Sequence, residues 1–553
     1  MRSSSLVLVS VVVASAWAAA CNSAEGGGDL PLATDSGVDS GSSEISIPED
    51  TAPAGPADDF PSAPVLDSPS GGTPAPKSAP SLFGAAGTTT GGPCLAEPQV
   101  GALFPRNFLR PRFRFTAPSG HNLFEIRLHT DAEKNDLVVY TTSTTWILPA
   151  EMWNGLSAHA IDKPITMTVR SGKYDATSDK LTEGPFTGTS GAFTIAPAEA
   201  SGTIVYWMLP STPGATSHLK GFTVGDETVK DVLDPSKLSG SQCIGCHTST
   251  PDGKAVAMSS SSTASDGSSP AWVEIRSLAD LSTPTFITAQ GKSLLARKDQ
   301  HALAFTKAHW ATGDHLMLSG LPVGAGGKRE IVWTNLEATS TDKGVGWDIL
   351  TRTGDANAAG GAAWSHDGKN VAYFSAPAIG AGLIDGAGQS DLFVVPFNDK
   401  KGGTATAVYK DSTYSSFYPQ FSADDALLAF TRVPRGETSY NNAKAEIMVV
   451  PAAGGAATRL VANDPNTCVG GTSPGITNSW PKWSPVATVS GGKTYYWLTF
   501  SSTRGAGSPQ LYVAPIVVSG GTVITYPALY LWNQPASEHN HTPAWDVFAL
   551  SVK

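Results

Sequence analysis

The feature that most constrains the fold is a unit that repeats in the C-terminal part of the chain. Each unit has the pattern of a strand, a turn of Ser-x-Asp-Gly type, a second strand, a loop and a third strand. The clearest copy is WSHDGK at 364–369, followed by apolar runs at 371–375 and 391–396. Two further copies begin at Phe421 and Trp483. A unit that recurs at this period indicates similar small sheets arranged one after another.

The residue just before each turn sets the register of the repeat. Six positions, 54 to 62 residues apart, fit it: Ser249, Trp310, Trp364, Phe421, Trp483 and Trp545. We interpret the aromatic residues among them as packing within each sheet. Because few residues follow Trp545, the earlier run IVYWML at 204–209 is predicted to complete the last sheet and close a ring.

In this repeat, and most specifically over 360–515, the chain resembles the TolB-type β-propeller family. The resemblance implies a six-bladed β-propeller over 199–553. TolB-type proteins do not in general carry the cysteine motif described below, so the resemblance does not by itself identify a partner or a reaction. Propellers that carry haem occur among periplasmic redox enzymes, which favours a redox role by analogy.

Residues 94–198 are predicted to form a separate β-sandwich. Alternating segments such as 124–128 and 165–169 have the pattern of half-buried strands. Their number and the length of the segment resemble an immunoglobulin or fibronectin type III domain, without the cysteine and tryptophan spacing of antibody domains. The body of the chain is therefore expected to be all-β, a sandwich followed by the propeller.

The N-terminus has the layout of a secretory signal. Arg2 precedes an apolar run at 6–13, and Ala18-Ala19-Ala20 precedes Cys21. This resembles a bacterial lipoprotein signal, with residues 1–20 removed and Cys21 lipidated. Ala18 stands where that family usually has leucine, and ordinary signal cleavage also suits the site. We expect a cell-envelope lipoprotein, periplasmic or surface-facing, that is held to the outer membrane by its lipid.

The next segment, 21–93, is predicted to be a disordered, acidic tether rich in Gly, Ser and Pro. Between residues 22 and 93 there are ten acidic residues and one basic residue, Lys77, so most of the chain's net charge of −11 lies in the tether. The remaining body is nearly neutral and has no basic stripe, which argues against nucleic acid as a partner.

The motif Cys243-Ile-Gly-Cys246-His247 has the C-x-x-C-H form by which haem c is attached. Each thiol would form a thioether with a vinyl group, and His247 would bind the haem iron. Since His247 precedes the first anchor by two residues, it is expected at the mouth of an innermost strand. A redox partner protein or a small ligand would then meet the haem there.

Residues at other blade mouths could supply the distal iron ligand. The candidates are His309, His541 and Met258, with His539 and Met317 as further alternatives. Each of these side chains could equally be a structural residue.

The two thiols have other uses. Cys243 and Cys246 could form a short-loop disulfide in an oxidising compartment or bind a metal as a thiol pair. With Cys21 assigned to lipid, the remaining cysteines, Cys94 and Cys468, are expected to form a disulfide between the sandwich and the propeller.

A second metal hypothesis concerns Glu538, His539 and His541. The two histidines would share one face of a strand and could bind a metal if a further ligand came from a neighbouring blade. Exposed loop histidines without a metal give the same pattern.

Three functions therefore remain open from the sequence. The first is electron transfer through haem, and the second is a haem enzyme or a small-ligand sensor. The third is a haem-free protein-binding scaffold at the cell envelope. The sequence leaves undecided whether the protein is an enzyme.

Overall fold

The protein is predominantly built from β-strands. The computed structural model describes residues 55–85, 89–211, 216–239, 241, 243–262, 272–379, 389–505 and 507–550. Residues 1–20 and Cys21 lie outside these ranges. Within them the α-helices are short: α1 (Ala79–Phe83), α2 (Ala150–His159), α3 (Ala289–Leu295) and α4 (Lys307–Ala311).

The strands before residue 200 form two sheets. They are β1 (Val65–Leu66), β2 (Cys94–Glu97), β3 (Leu103–Phe104), β4 (Arg112–Thr116), β5 (Leu123–His129), β6 (Leu137–Thr141), β7 (Thr145–Ile147), β8 (Ile165–Asp175) and β9 (Lys180–Ile195). The larger sheet has the order β1-β6-β5-β8-β9-β3, and the smaller one is β2-β4-β7. Apolar side chains at alternate positions of β4 are buried, as the alternating pattern predicts.

The strands after residue 200 form a succession of antiparallel sheets. In chain order they are β10 (Thr203–Leu209), β11 (His218–Thr223), β12 (Lys230–Leu233), β13 (Cys243–Ser249), β14 (Ala255–Ser261), β15 (Trp272–Ser277), β16 (His301–Ala304), β17 (Leu316–Leu321), β18 (Glu330–Asn335), β19 (Trp347–Ile349), β20 (Arg352–Thr353), β21 (Ala358–Trp364), β22 (Asn370–Ala376), β23 (Asp391–Pro396), β24 (Gly403–Thr404), β25 (Thr406–Tyr409), β26 (Tyr414–Phe421), β27 (Leu427–Pro434), β28 (Glu446–Pro451), β29 (Thr458–Arg459), β30 (Asn478–Trp483), β31 (Thr488–Ser490), β32 (Lys493–Ser502), β33 (Gln510–Ser519), β34 (Thr522–Thr525), β35 (Leu529–Tyr530) and β36 (His539–Asp546).

The succession of sheets closes on itself. The last strand, β36, pairs antiparallel with β10, as expected from the run at 204–209. One end strand of each sheet also contacts the corresponding strand of the next sheet. These innermost strands form the cycle β13, β16, β21, β26, β30, β36 and back to β13. A closed cycle leaves no unpaired sheet edge at the join. The fold is therefore β-propeller-like, and the prediction of an all-β body is confirmed.

Each strand of this cycle has the same local irregularity. One residue near its middle has a left-handed backbone and sits in a β-bulge: Cys246 (φ 24°), Ala302 (φ 55°), Gly361 (φ 59°), Tyr418 (φ 56°), Trp480 (φ 62°) and Thr542 (φ 46°). A bulge of this kind bends a strand and strengthens its twist. Only one of the six residues is glycine, so the surrounding packing must hold a conformation that side chains disfavour.

The bulges give a structural register that corrects one sequence assignment. In five strands the anchor residue lies three positions after the left-handed residue, as the sequence register requires. For β16 the equivalent residue is Phe305, which directly follows the strand, whereas Trp310 lies on α4. The turn that follows the anchor in other sheets is replaced there by this helix, which displaced the sequence register by five residues. The anchors Trp364, Trp483 and Trp545 are fully buried, which confirms their packing role.

The structure also shortens the predicted tether. Residues 55–85 and 89–93, which the sequence assigned to it, contact the folded body: Phe60 is completely buried and Val65 pairs with Val139 of β6. The guanidinium of Arg170 donates to the carbonyl oxygens of residues 83–85. The segment is held to the body by the burial of Phe60 and by its own backbone carbonyl groups, which accept hydrogen bonds from Arg170.

The N-terminal sheets and the ring share one hydrophobic core. Phe104 and Phe193 of the N-terminal part belong to the same buried cluster as Trp497 and Trp545 of the ring. The amide of Asn466 donates to the backbone carbonyls of Leu95 and Ala96, at 3.0 Å each. Cys94 and Cys468, the pair expected from the cysteine count, form a disulfide beside this contact.

Candidate functional site

The C-x-x-C-H motif lies on β13, an innermost strand of the ring, and its histidine is within the strand, not at the mouth that the sequence register predicted. Cys246 is the left-handed residue of the bulge, is 2% exposed and is part of a disulfide. The backbone of Cys243 is opposite Ser261 of β14, while its side chain lies outside the described part of the structure. The bulge turns Cys246 and the residue after it into the interior.

His247 is buried and uses one ring nitrogen. Its Nε2 donates to the carbonyl oxygen of Val205, at 3.0 Å, and its Nδ1 is buried without a hydrogen-bond partner. Its register partner on β14, Met258, belongs to a buried apolar cluster with Val205 and Trp207. Burial lowers the pKa of His247 to about 4, and the positive charge of Lys482 adds to this effect. The imidazole is therefore neutral at physiological pH.

The surroundings of the motif bear on covalent haem attachment. Such a haem needs two thiols free to form thioethers and an imidazole nitrogen that faces the iron. Cys246 is already in a disulfide, His247 Nε2 is occupied by a backbone carbonyl, and its Nδ1 lies among buried side chains. Haem attachment at this position would therefore require the disulfide at Cys246 to open and Nε2 of His247 to leave the carbonyl oxygen of Val205.

The candidate distal ligands do not converge on His247 as a set. Met258 lies directly across from it on the neighbouring strand. His541 lies on β36, where its ring packs edge-on against Trp207 at a centroid distance of 4.4 Å. Burial lowers the pKa of His541 to about 3, with a smaller contribution from the neighbouring His539. Met317 is fully buried in a separate apolar cluster.

His309 is not at the mouth of an innermost strand. It lies on α4, where its Nδ1 contacts Asp314 and its Nε2 contacts the carbonyl oxygen of Gly368. The residue that directly precedes the corrected anchor is Ala304 of β16, and the histidine of this strand is His301, which is buried and contacts Asp299 at 3.2 Å. The helical insertion that displaced the anchor from Phe305 to Trp310 also explains this difference.

The second metal hypothesis receives no third ligand. In the part of the chain that the structure describes, no further histidine, cysteine or carboxylate joins His539 and His541 at metal-ligand spacing. Glu538 instead forms an ion pair with Lys220, at 2.9 Å. Its carboxylate is therefore neutralised by a lysine of β11.

A cavity between the N-terminal sheets and the ring is the candidate functional site. It has a volume of about 290 Å³ and opens between β4 and the sheet that contains β33 and β35. Its polar and aromatic lining includes Glu97, Arg110, Arg112, Arg114, Arg504, Phe104, Phe108, Tyr512, Tyr530 and Trp532. Sites of this kind are common where two domains meet.

The charges of this cavity are unequal. Its lining contains four arginines and one acidic residue, Glu97. Glu97 accepts from both Arg112 and Arg114, at distances of 2.7–2.8 Å. Arg110 is paired at the rim with Glu227, which is not part of the lining. The cavity therefore has a positive potential, which favours an anionic ligand.

Arg504 contributes a buried cation to this lining. Only 1% of the residue is exposed, and no carboxylate among the described residues lies within ion-pair distance of it. Its Nη2 donates to the carbonyl oxygen of Ala462 and to Oδ1 of Asn478, while its Nη1 is buried without a partner. Burial lowers the pKa of Arg504 to about 10, so it remains charged at neutral pH.

Aromatic rings form the other part of the lining. The guanidinium of Arg504 lies 4.7 Å from the ring centroid of Tyr512, and that of Arg112 lies 5.0 Å from that of Tyr530. Trp532 donates its Nε1–H to the carbonyl oxygen of Arg110, at 2.9 Å. Stacking of this type fixes the planes of the guanidinium groups. The cavity thus combines oriented cations with apolar surface.

Sequence reasoning missed this cavity. Its residues come from 96–114 and 469–536, which are far apart in the chain. The alternation of Arg112 and Arg114 on β4 was a visible signal, because residues two apart in a strand lie on one face. The position of Arg504 opposite that face depends on how the two parts of the chain dock.

Comparisons with known proteins identify no family for this chain. No protein-family model matches it, and no curated protein matches it. Among solved structures it is similar to a puromycin hydrolase, with 14% identity, a TM-score of 0.33 and coverage of 59% of this chain and 45% of the other. A hypothetical selenium-binding protein from Sulfolobus tokodaii has 10% identity, a TM-score of 0.34 and coverage of 78% and 94%.

A protein of unknown function from Dyadobacter fermentans has 12% identity, a TM-score of 0.29 and coverage of 64% and 91%. The puromycin hydrolase is matched over 45% of its own length, so this chain spans less than half of that protein. Likenesses at these scores carry no argument about ligand or reaction.

Proposed function

We propose that this protein is a haem-free, exported binding protein that takes an acidic segment of a partner protein into the cavity beside Arg504. Its architecture would be an immunoglobulin-like sandwich docked on a six-bladed, TolB-type β-propeller. The cycle of six innermost strands, each with one left-handed bulge residue, supports the six-bladed assignment. The β10–β36 pairing supports closure by an early strand.

The observation that carries the proposal is the excess of arginine in the cavity lining, where Arg110, Arg112, Arg114 and Arg504 accompany a single carboxylate, that of Glu97. A buried cation without a carboxylate partner is costly, and an anion that enters the cavity would relieve that cost. Arg114, which is 42% exposed at its side chain, could turn from Glu97 to the same anion. The rings of Tyr512 and Tyr530 would contact the apolar part of the bound segment.

The haem-free assignment is supported by the disulfide at Cys246 and the occupied Nε2 of His247. Haem attachment remains a second proposal, favoured by the motif itself. Within the described ranges no helix has the length and apolar run needed to cross a bilayer. We propose attachment through lipidated Cys21, which metabolic labelling with a radioactive fatty acid would test against Cys21→Ala.

Binding of acidic peptides would test the proposed function. Short peptides selected by display against the full chain would be resynthesised in pairs, one with carboxylates and one with the corresponding amides. Calorimetry should show binding of the carboxylate form only. Arg114→Gln should weaken it about 10-fold, the effect of losing one charged hydrogen bond.

The matched control is Arg276→Gln, which removes an arginine that is paired with Glu274 on β15, outside the cavity. It should leave affinity unchanged. Equal binding of amide and carboxylate peptides would overturn the electrostatic proposal. Binding of free carboxylic acids in place of any peptide would reassign the site to small molecules.

A further inference from the structure

A cluster of three side chains lies in the N-terminal part, away from the cavity. Asp59 precedes β1, Glu133 lies between β5 and β6, and His159 is the last residue of α2. One ligand atom from each lies within 4.8 Å of the others. Nδ1 of His159 is 2.8 Å from Oδ2 of Asp59. Three distant parts of the chain thus bring together an imidazole and two carboxyl groups.

Glu133 provides the second observation. The residue is 6% exposed, and its Oε2 accepts from the backbone N–H groups of Asp59 and Phe60, at 2.8 and 3.3 Å. Its Oε1 is buried without any hydrogen-bond partner. Burial raises the pKa of Glu133, the two backbone donors oppose this, and the nearby Asp59 adds to it. A buried carboxylate oxygen without a donor requires an explanation such as an ion.

Helix α2 has a glycine, Gly155, where the carboxylate of Asp59 packs against it. A Cβ atom at Gly155 would lie 2.3 Å from Cγ of Asp59 and 2.4 Å from its Oδ2. No side chain larger than that of glycine fits there without displacing Asp59. His159 lies one turn further along the same face of α2. The missing side chain at 155 therefore lets Asp59 reach the imidazole.

We propose that Asp59, Glu133 and His159 bind a divalent transition-metal ion, of which Zn²⁺ is the appropriate probe. One imidazole and two carboxylates form a ligand set suited to zinc and similar ions, whereas calcium and magnesium prefer oxygen ligands alone. The ion takes the place of the hydrogen bond between His159 and Asp59 and supplies the missing partner of Glu133 Oε1. Its charge offsets the repulsion between the two carboxylates.

The bound ion would hold residues 55–60 against the folded body. Asp59 belongs to residues 55–60, which the sequence assigned to the tether, whereas the other two ligands belong to the folded body. The bound ion would therefore fix the point where the chain joins the domain. This role is independent of the peptide cavity proposed above.

Calorimetric titration of the full chain, without a histidine tag, with ZnCl₂ tests the proposal. We expect one site per chain that CaCl₂ and MgCl₂ at equal concentration do not fill. Glu133→Gln retains an oxygen that can accept from Asp59 and Phe60 but loses a charged ligand. It should weaken binding at least about 100-fold, more than the usual effect of losing a residue that only supports a ligand.

His129→Gln is the matched control, since His129 contacts Asp136 at the same 2.8 Å and is similarly exposed, 56% against 50% for His159, but the carboxylates of Asp136 and Asp131 that it contacts are exposed. It should bind Zn²⁺ like the parent, and His159→Gln should not. Hydrogen exchange at the amides of Asp59 and Phe60 should slow on addition of Zn²⁺ in the parent and not in Glu133→Gln.

Two results would overturn the proposal. One is a parent chain that does not bind Zn²⁺ or that binds Ca²⁺ equally well. The other is folded Glu133→Gln and His159→Gln chains that bind Zn²⁺ as tightly as His129→Gln does. Circular dichroism of each variant confirms that it is folded before the comparison is made.

Discussion

Acidification should destabilise this protein through His247 by an amount that the structure predicts. The imidazole is buried and its pKa is lowered to about 4, against about 6.5 in an unfolded chain. Between about pH 4 and 6.5 the unfolded state therefore binds a proton at this imidazole that the folded state does not bind. The stability contributed by neutral His247 is fully present above pH 6.5 and is lost as the pH falls toward 4.

The magnitude follows from this difference in pKa. Protonation of the unfolded chain alone lowers the free energy of unfolding by about 2 kcal/mol between pH 7 and 5, and by about 3 kcal/mol by pH 4. His247→Gln removes the titrating group and retains an amide that can donate to the carbonyl oxygen of Val205. Urea unfolding of both proteins at each pH should test this. The difference in free energy of unfolding between parent and variant should be about 2 kcal/mol less in favour of the parent at pH 5 than at pH 7.

The control is Met258→Leu, which alters the packing opposite His247 without changing a titratable group. Its free energy of unfolding should run parallel to that of the parent at all pH values. If His247→Gln also runs parallel to the parent between pH 7 and 5, the buried, neutral imidazole is refuted. The other buried histidines, such as His541, remain in all three chains and cancel in the comparison.

Three further predictions concern covalent and buried polar groups. In a host with c-type maturation machinery, exported parent chain should give no in-gel haem stain, like its Cys243→Ala/Cys246→Ala variant, and a covalent signal that the variant loses would restore the haem proposal. Arg170→Met should cost roughly 3–5 kcal/mol by urea unfolding, because it leaves the buried carboxylate of Glu125 with only the hydroxyl of Tyr140 and the more distant Arg127 as partners, and a loss below about 1 kcal/mol would contradict this. Cys94→Ser should cost roughly 2–5 kcal/mol in the same assay by opening a link across 374 residues, whereas in a reducing buffer the parent should lose this advantage.

The candidate cavity could be anticipated only in part. The sequence shows that Arg112 and Arg114 share a strand face, since side chains alternate along a strand. It does not show that Arg504 lies opposite them, because that depends on the docking of two sheets whose strands lie hundreds of residues apart. The cluster of Asp59, Glu133 and His159 was hidden for the same reason, and Asp59 was counted only as a charge of the tether.

The C-x-x-C-H motif shows why a short motif needs its tertiary context. The spacing of Cys243, Cys246 and His247 is compatible with haem attachment and with a disulfide. The bulge at Cys246 and the carbonyl group of Val205, which comes from a strand of the neighbouring sheet, decide how His247 is used. No local pattern contains that carbonyl group.

The sequence by itself determined the β-rich body, the repeating sheets and the closing strand at 204–209, because alternation and turn residues act over a few positions. It located Trp364, Trp483 and Trp545 as core residues for the same reason. The tertiary structure alone decided that Phe305 replaces Trp310 in the register, that residues 55–85 join the body, and which charged groups meet. Those outcomes depend on contacts between segments far apart in the chain, and their free energies are set by burial and pairing that no local pattern records.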